Sequence, residues 1–246
     1  MNPLRGPGAA ALLLSRTVRA LRTDRLSWHA CLEQLVELGT RSLGLVLSGM
    51  AFFGAVMVTI AHRQATKLVG DLNLVGPPYF ELLVREFGPA ISALLIAARL
   101  GASASAELST ASVTEQAEAL EMSAGDPKVD WVAPRVVASL LAVPALTVIG
   151  IMAAGIAAAL TASSYGANGW AFLDGRNVTW ADLGCALVKA LACGLYIPLV
   201  ASEHGLSARG GAAAVGAATT QGVVSACLGA LIIDLLITLG FRLAGV

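Results

Sequence analysis

Apolar residues in this chain gather into long runs separated by short charged stretches. Residues 136–173 contain no Asp, Glu, Lys or Arg, and neither do residues 210–233. Each run exceeds the ~20 residues that cross a bilayer as a helix. The same pattern predicts spans at about 43–61, 79–107, 131–160, 182–202 and 212–241, giving five crossings. Composition strengthens the reading. The chain has 246 residues, 57% hydrophobic and only 13% charged, with a mean hydropathy of +0.76, and a soluble fold could not hide that much apolar surface. The net charge is zero, so nothing points to nucleic acid as a partner.

Orientation follows from basic residues. Arg16, Arg19, Arg22, Arg25 and Arg41 place the N-terminus in the cytoplasm by the positive-inside rule. Five spans then put the C-terminus outside, with residues 109–130 and 203–210 inside. Lys128, Arg135 and Arg209 agree with this, whereas His62, Arg63 and Lys67 oppose it. Trp170 and Trp180 flank the second exterior loop, where interfacial aromatics are expected. Leucines at 12, 13, 14, 21 and 26 interleave with the N-terminal arginines. Positive charge follows this short apolar stretch, the reverse of a signal peptide, and residues 1–38 read as a basic amphipathic interfacial segment, with a solvated basic tail as the alternative. A transmembrane domain then occupies 39–246.

The second span carries Arg85 and Glu86 near its outer end, Gly88-Pro89 one turn further in, and Arg99 and Glu107 towards its inner end. Proline removes a backbone donor, so a kink is expected near 85–89. Ala97, Gly101, Ser105 and Ser109 recur every fourth residue, a stripe on which another helix can approach closely. Lys189 and Asp234 also lie inside predicted spans, where charge is costly; a structural pair or snorkelling accounts for both. Cys31, Cys185, Cys193 and Cys227 lack metal-type spacing and read as small buried residues.

Between the second and third spans lies a segment unlike the membrane helices. Ser112 precedes Glu115 by three residues, the order of a capping box, and Gly125 with Pro127 ends the pattern. This predicts a helix of about three turns over 112–125, with Glu115, Glu118 and Glu121 on one side and Val113, Ala117, Leu120 and Ala124 between them.

Residues 85–135 read R-E-F-G-P, A-A-R-L-G-A-S-A-S-A-E, T-E-Q-A-E-A-L-E-M-S-A-G-D-P and P-R. This block strongly resembles the MlaE (YrbE-type) permease family. A second block, G-G-A-A-A-V-G-A-A-T-T-Q-G-V-V-S followed by Asp234, is similar to that family's last inner loop and final span. One departure is the family's A-G-R-x-G-S, which here reads Ala98-Arg99-Leu100-Gly101-Ala102-Ser103.

The resemblance implies an all-α integral membrane protein: an N-terminal amphipathic interfacial helix, about five transmembrane helices and a cytoplasmic coupling helix. It implies the permease subunit of an ABC transporter in the cell's inner (cytoplasmic) membrane, moving phospholipid or a related lipid. An ATPase inside, an MCE-domain protein outside and a second copy of the chain are the implied partners. It assigns Glu115, Gln116, Glu118, Leu120 and Glu121 to ATPase coupling and Arg85 and Glu86 to the lipid cavity. Gly88, Pro89, Arg99, Glu107 and Asp234 take structural roles within the membrane. No cofactor or metal is expected, and no catalytic residue.

The three lysines, Lys67, Lys128 and Lys189, sit in no phosphate-binding G-x-x-x-x-G-K-[ST] loop, so ATP hydrolysis is expected in a partner. No H-E-x-x-H or G-x-S-x-G occurs, which argues against an intramembrane enzyme. A proton-coupled secondary carrier of a lipid-like substrate is the better rival, on account of Lys189 and Asp234.

Overall fold

The computed structural model describes residues 28–68, 72–123 and 125–245. Among them are five helical stretches long and apolar enough to cross a membrane, and no strand. The first is α1 (Trp28–Leu68). The interfacial segment expected over 1–38 lies outside the described residues up to position 27, while 28–38 are the opening turns of α1. The helix therefore starts well before the apolar run at 43. Its polar opening is supported by the i, i+4 pairs His29–Glu33 and Glu37–Arg41.

The second span is composite. A short helix α2 (Gly76–Leu82) passes into a π-helical turn, Leu83–Phe87, and then into α3 (Gly88–Val113). Pro89 is the second residue of α3 and has no N–H to offer the carbonyl of Arg85 four residues back. The amide of Gly88 reaches instead to the carbonyl of Leu83, so the chain takes one extra residue into this turn. The kink expected near 85–89 is thus a π turn. The arrangement recurs at the third span, where a π turn at Lys128–Val132 precedes α5 (Ala133–Ser164), with Pro134 second in that helix.

Between α3 and α5 sits α4 (Gln116–Met122), two turns rather than three. The capping box expected at Ser112 and Glu115 does not form. Helix α3 continues through Ser112, whose hydroxyl donates to the carbonyl of Leu206 at 3.4 Å. Glu115 adopts a left-handed conformation, φ 61°, and forms the corner between α3 and α4. The C-terminal expectation fares better, for the Gly125 amide closes the helix end on the carbonyl of Leu120 at 3.0 Å.

The last two spans are α6 (Trp180–Leu206) and α7 (Ala212–Leu243). Helix α3 is the central element, packed on α6 and α7, while α1 packs chiefly on α5. The small-residue stripe of α3 serves this internal packing. Gly101 lies against Val223, Ser105 against Gly222, and the Ser105 hydroxyl donates to the carbonyl of Ala201 at 3.0 Å. Ala97, Ser105 and Ser109 are fully buried within one chain, so this face is not free to pair two copies. Gly54 meets the backbone at Ala154 in the same way, bringing α1 onto α5. The outward faces of α1, α5 and α7 are leucine-, isoleucine- and valine-rich and exposed, as a helix bundle solvated by lipid requires. Cys31, Cys185 and Cys193 are buried, Cys227 partly so, and all four are free thiols.

Candidate functional site

Chain direction sets which residues can meet. The π turn opens the second span, α6 starts on the same side, and α7 ends there, so residues near 85, 185 and 235 share one half of the bundle. In that half Arg85, Glu86, Asp182, Lys189, Asp234 and Thr238 converge. Two cations face three carboxylates.

Lys189 is the hub. It is 1% exposed, and its Nζ lies 2.5 Å from Glu86 Oε2 and 3.3 Å from Asp234 Oδ1. It also donates to the main-chain carbonyl of Arg85 at 3.2 Å. The contact with Asp234 is ionic rather than a hydrogen bond, since that oxygen has no hydrogen-bond partner. Thr238 donates its hydroxyl to the same Glu86 oxygen at 2.9 Å. Glu86 thereby ties the second span to both α6 and α7.

Arg85 donates through Nη1 to Asp182 Oδ1 at 2.9 Å, with Nε 3.6 Å from Glu86 Oε1. Asp182 is 2% exposed on its side chain. Its other oxygen accepts from the amide of Thr179 at 2.8 Å and from the Thr179 hydroxyl at 2.7 Å, closing the capping box that starts α6. One carboxylate therefore caps a helix and anchors a guanidinium. Neighbours on a regular α-helix point about 100° apart and cover separate patches. In the π turn Arg85 and Glu86 touch and belong to one network. Both side chains remain about one quarter exposed, so the network is reachable from outside the bundle.

Of the residues singled out in the sequence, Arg85, Glu86, Lys189 and Asp234 come together here, with Gly88 and Pro89 buried just beneath. Arg99 and Glu107 do not join them. Arg99 lies near the middle of α3 and Glu107 towards its other end, where Arg135 Nη2 is 2.5 Å from Glu107 Oε1. Asp182, Thr179 and Thr238 were missed. Thr179 and Asp182 carry a visible signal, the T-x-x-D order of a capping box, but it speaks of a helix start and not of a partner 97 residues earlier.

At that other end α4 has no buried residue. Glu115, Gln116, Glu118 and Glu121 are exposed, Leu120 partly so, and Met122 is 90% exposed. Beside it an open hollow of about 590 Å³ is lined by Ser103, Glu107, Leu108, Gln116 and Trp131. Beyond the charged network, the 165–179 loop exposes Trp170 and Arg176, with Trp180 exposed at the start of α6. The hydrogen bond from Arg176 holds the Asp174 carboxyl below the ordinary range.

A bundle of five apolar helices with a helix at one end that takes no part in the core, and a buried ionic network at the other, marks a multi-pass membrane protein. Residues 31–239 match the family described as Permease MlaE, and the chain belongs to that family. Relatives agree over most of their length. A probable ABC transporter permease protein of Synechocystis is 34% identical over 225 residues, 89% of this chain and 84% of the relative. One from Rickettsia typhi is 32% identical over 235 residues, 94% and 90% of the two chains. The chloroplastic protein TRIGALACTOSYLDIACYLGLYCEROL 1 of Arabidopsis thaliana is 30% identical over 231 residues, 92% of this chain; the chain spans 65% of that relative's length.

Proposed function

We propose that this permease moves phospholipid, or a related lipid, as the membrane-spanning subunit of an ABC transporter in the inner (cytoplasmic) membrane. A separate ATPase sits on α4 and an MCE-type protein at the opposite face, with two copies of the chain in the complex. Membership of the MlaE permease family, beside relatives described as ABC transporter permeases, is the observation that carries this reading. The name of the Arabidopsis relative is that of a galactosyl lipid, which favours a diacylglycerol-based cargo.

The geometry supplies a working path. Helix α4 is joined to α3 through the corner at Glu115, and α3 runs 26 residues back to the π turn, ~39 Å at 1.5 Å per residue. A displacement at α4 travels along that single helix to the network of Arg85, Glu86 and Lys189. Movement of α3 against α6 and α7 separates Glu86 from Lys189 and Thr238, which opens the partly exposed side of the network. Arg85 then has guanidinium donors to offer a lipid phosphate, for which its fork geometry is suited. It must release Asp182 or Glu86 to do so, and that competition makes cargo binding sensitive to the position of α3. The exposed Trp170, Trp180 and Arg176 are the surface assigned to the outer partner.

Purifying the chain with its candidate ATPase and extracting the complex for lipid mass spectrometry tests the proposal. Co-purified ATPase with phospholipid that falls in Arg85→Ala and Glu86→Gln is the expected result. A permease that takes up lipid alone in proton-loaded vesicles, without any ATPase, overturns it in favour of the secondary carrier.

A further inference from the structure

The opposite end of the bundle holds a second charged group, built from α1, α3 and α5. Gln34, Glu37 and Arg41 of α1, Arg99 and Glu107 of α3, and Arg135 of α5 line a cavity of about 90 Å³. Since ~10–15 Å³ of such space holds one water, it has room for several waters or one phosphate group. Three guanidinium groups face two carboxylates.

The carboxylates do not saturate the cations. Arg41 is paired with Glu37 on the exposed surface of α1. Arg135 is 95% buried by its 5% relative exposure and uses Nη2 on Glu107, at 2.5 Å, and Nε on Gln34 Oε1, at 3.4 Å. Its Nη1 is buried with no hydrogen-bond partner. Arg99, two helical turns deeper than Glu107, takes part in none of the ion pairs found among the described residues. The cavity is therefore lined by one cation with no carboxylate of its own, Arg99, and by a second guanidinium, Arg135, whose hydrogen-bonding capacity is not filled, so a polar ligand there finds donors to bind. With one cation in excess, that ligand is an anion.

We infer that this cavity is a phosphate-binding site, separate from the Arg85 network, and that it takes the phosphodiester headgroup of a lipid from the leaflet on the α4 side. Basic pockets between spans at the headgroup level suit such groups. Arg99 supplies a guanidinium fork from α3 and Arg135 the positive charge of a second guanidinium from α5, so a bound headgroup bridges the two helices on the side where α3 turns into α4. The inference does not depend on which lipid the complex moves.

Arg99 provides the test, because it holds no ion pair whose loss would unsettle the fold. The full-length permease, purified in detergent and stripped of lipid, is titrated calorimetrically with dioleoylphosphatidylglycerol and, separately, with inorganic phosphate. The Arg85→Ala background removes the partly exposed cation of the other network and leaves only Lys189, which is buried and paired. In it, one phosphatidylglycerol per chain still binds; adding Arg99→Gln weakens that binding ~10-fold, the scale of one charge-assisted hydrogen bond, and Arg99→Lys recovers part of the loss. Arg99-dependent binding of inorganic phosphate without binding of the lipid supports the phosphate site and assigns it to the free ion. Binding that is the same with and without Arg99→Gln, or no binding of either probe, overturns the inference.

Discussion

The Nζ of Lys189 donates to the main-chain carbonyl of Arg85 at 3.2 Å, the carbonyl that Pro89 has no N–H to reach in an α-helix. A side chain from α6 thus occupies an acceptor exposed by a proline in the second span. The same ammonium group holds Glu86 and approaches Asp234, so backbone irregularity and buried charge belong to one device.

Lys189→Met strips Asp234 of its cation and leaves Glu86 only the longer contact to Arg85 Nε at 3.6 Å. Removing one partner from a buried pair typically costs about 3–5 kcal/mol, and thermal unfolding in detergent is expected to drop accordingly. Adding Glu86→Gln to Lys189→Met removes one weakly paired carboxylate and recovers part of that loss. Equal stability of Lys189→Met and wild type would show that water already satisfies these carboxylates.

Pro89→Ala restores a backbone donor to α3 and allows the regular i to i−4 bond to Arg85. The π turn then competes with an ordinary α turn, in which Arg85 and Glu86 point apart. Stability is expected to stay within about 1 kcal/mol of wild type, since the packing lost with the buried proline ring offsets the gain from an ordinary helix residue. Transport in reconstituted complexes should nevertheless fall. A variant that is stable and fully active would detach the π turn from function.

Close helix approach makes a contrast between two glycines of α7. A Cβ at Gly222 would collide with the Ser105 side chain, whereas one at Gly216 meets nothing within 4 Å. Gly222→Ala is expected to cost about 1–3 kcal/mol, the scale of overpacking, and to break the Ser105 bond to Ala201. Gly216→Ala should be neutral or stabilising by about 0.5–1 kcal/mol, as expected for a helix interior. Thermal unfolding of the two variants side by side decides it.

The five spans were legible because uninterrupted apolar length is a property of sequence alone. Their joints were not. Hydropathy cannot see a π turn, although Gly88-Pro89 marked the place where one arose. Arg85 and Glu86 were visible as charges at membrane depth, but their partners lie 97 to 152 residues away, and only the packing of α3 against α6 and α7 brings them together. Asp182 read as the edge of a span because its capping role is local and its bond to Arg85 is not. Ser112 was read as a helix cap because its spacing to Glu115 fits; burial against Leu206 gave its hydroxyl another acceptor, and α3 ran on.

That misplaced helix start yields the last prediction. Glu115 was assigned to an acidic face, yet it stands at the corner between α3 and α4 with φ 61°, where a side chain costs roughly 1–2 kcal/mol and glycine costs little. Its backbone conformation, then, governs how α4 is aimed, and its charge is secondary. Glu115→Gly should leave ATPase association intact or slightly stronger, while Glu115→Val, equally uncharged but β-branched, should weaken it because the corner cannot keep its geometry. Glu118, exposed in the first turn of α4, behaves in the opposite sense: Glu118→Lys reverses charge on a regular helix and should weaken association without altering the permease's own unfolding temperature. Pull-down of the ATPase by each variant separates the two. If Glu115→Gly and Glu115→Val lose binding equally, charge at the corner matters after all, and the conformational account of Glu115 fails.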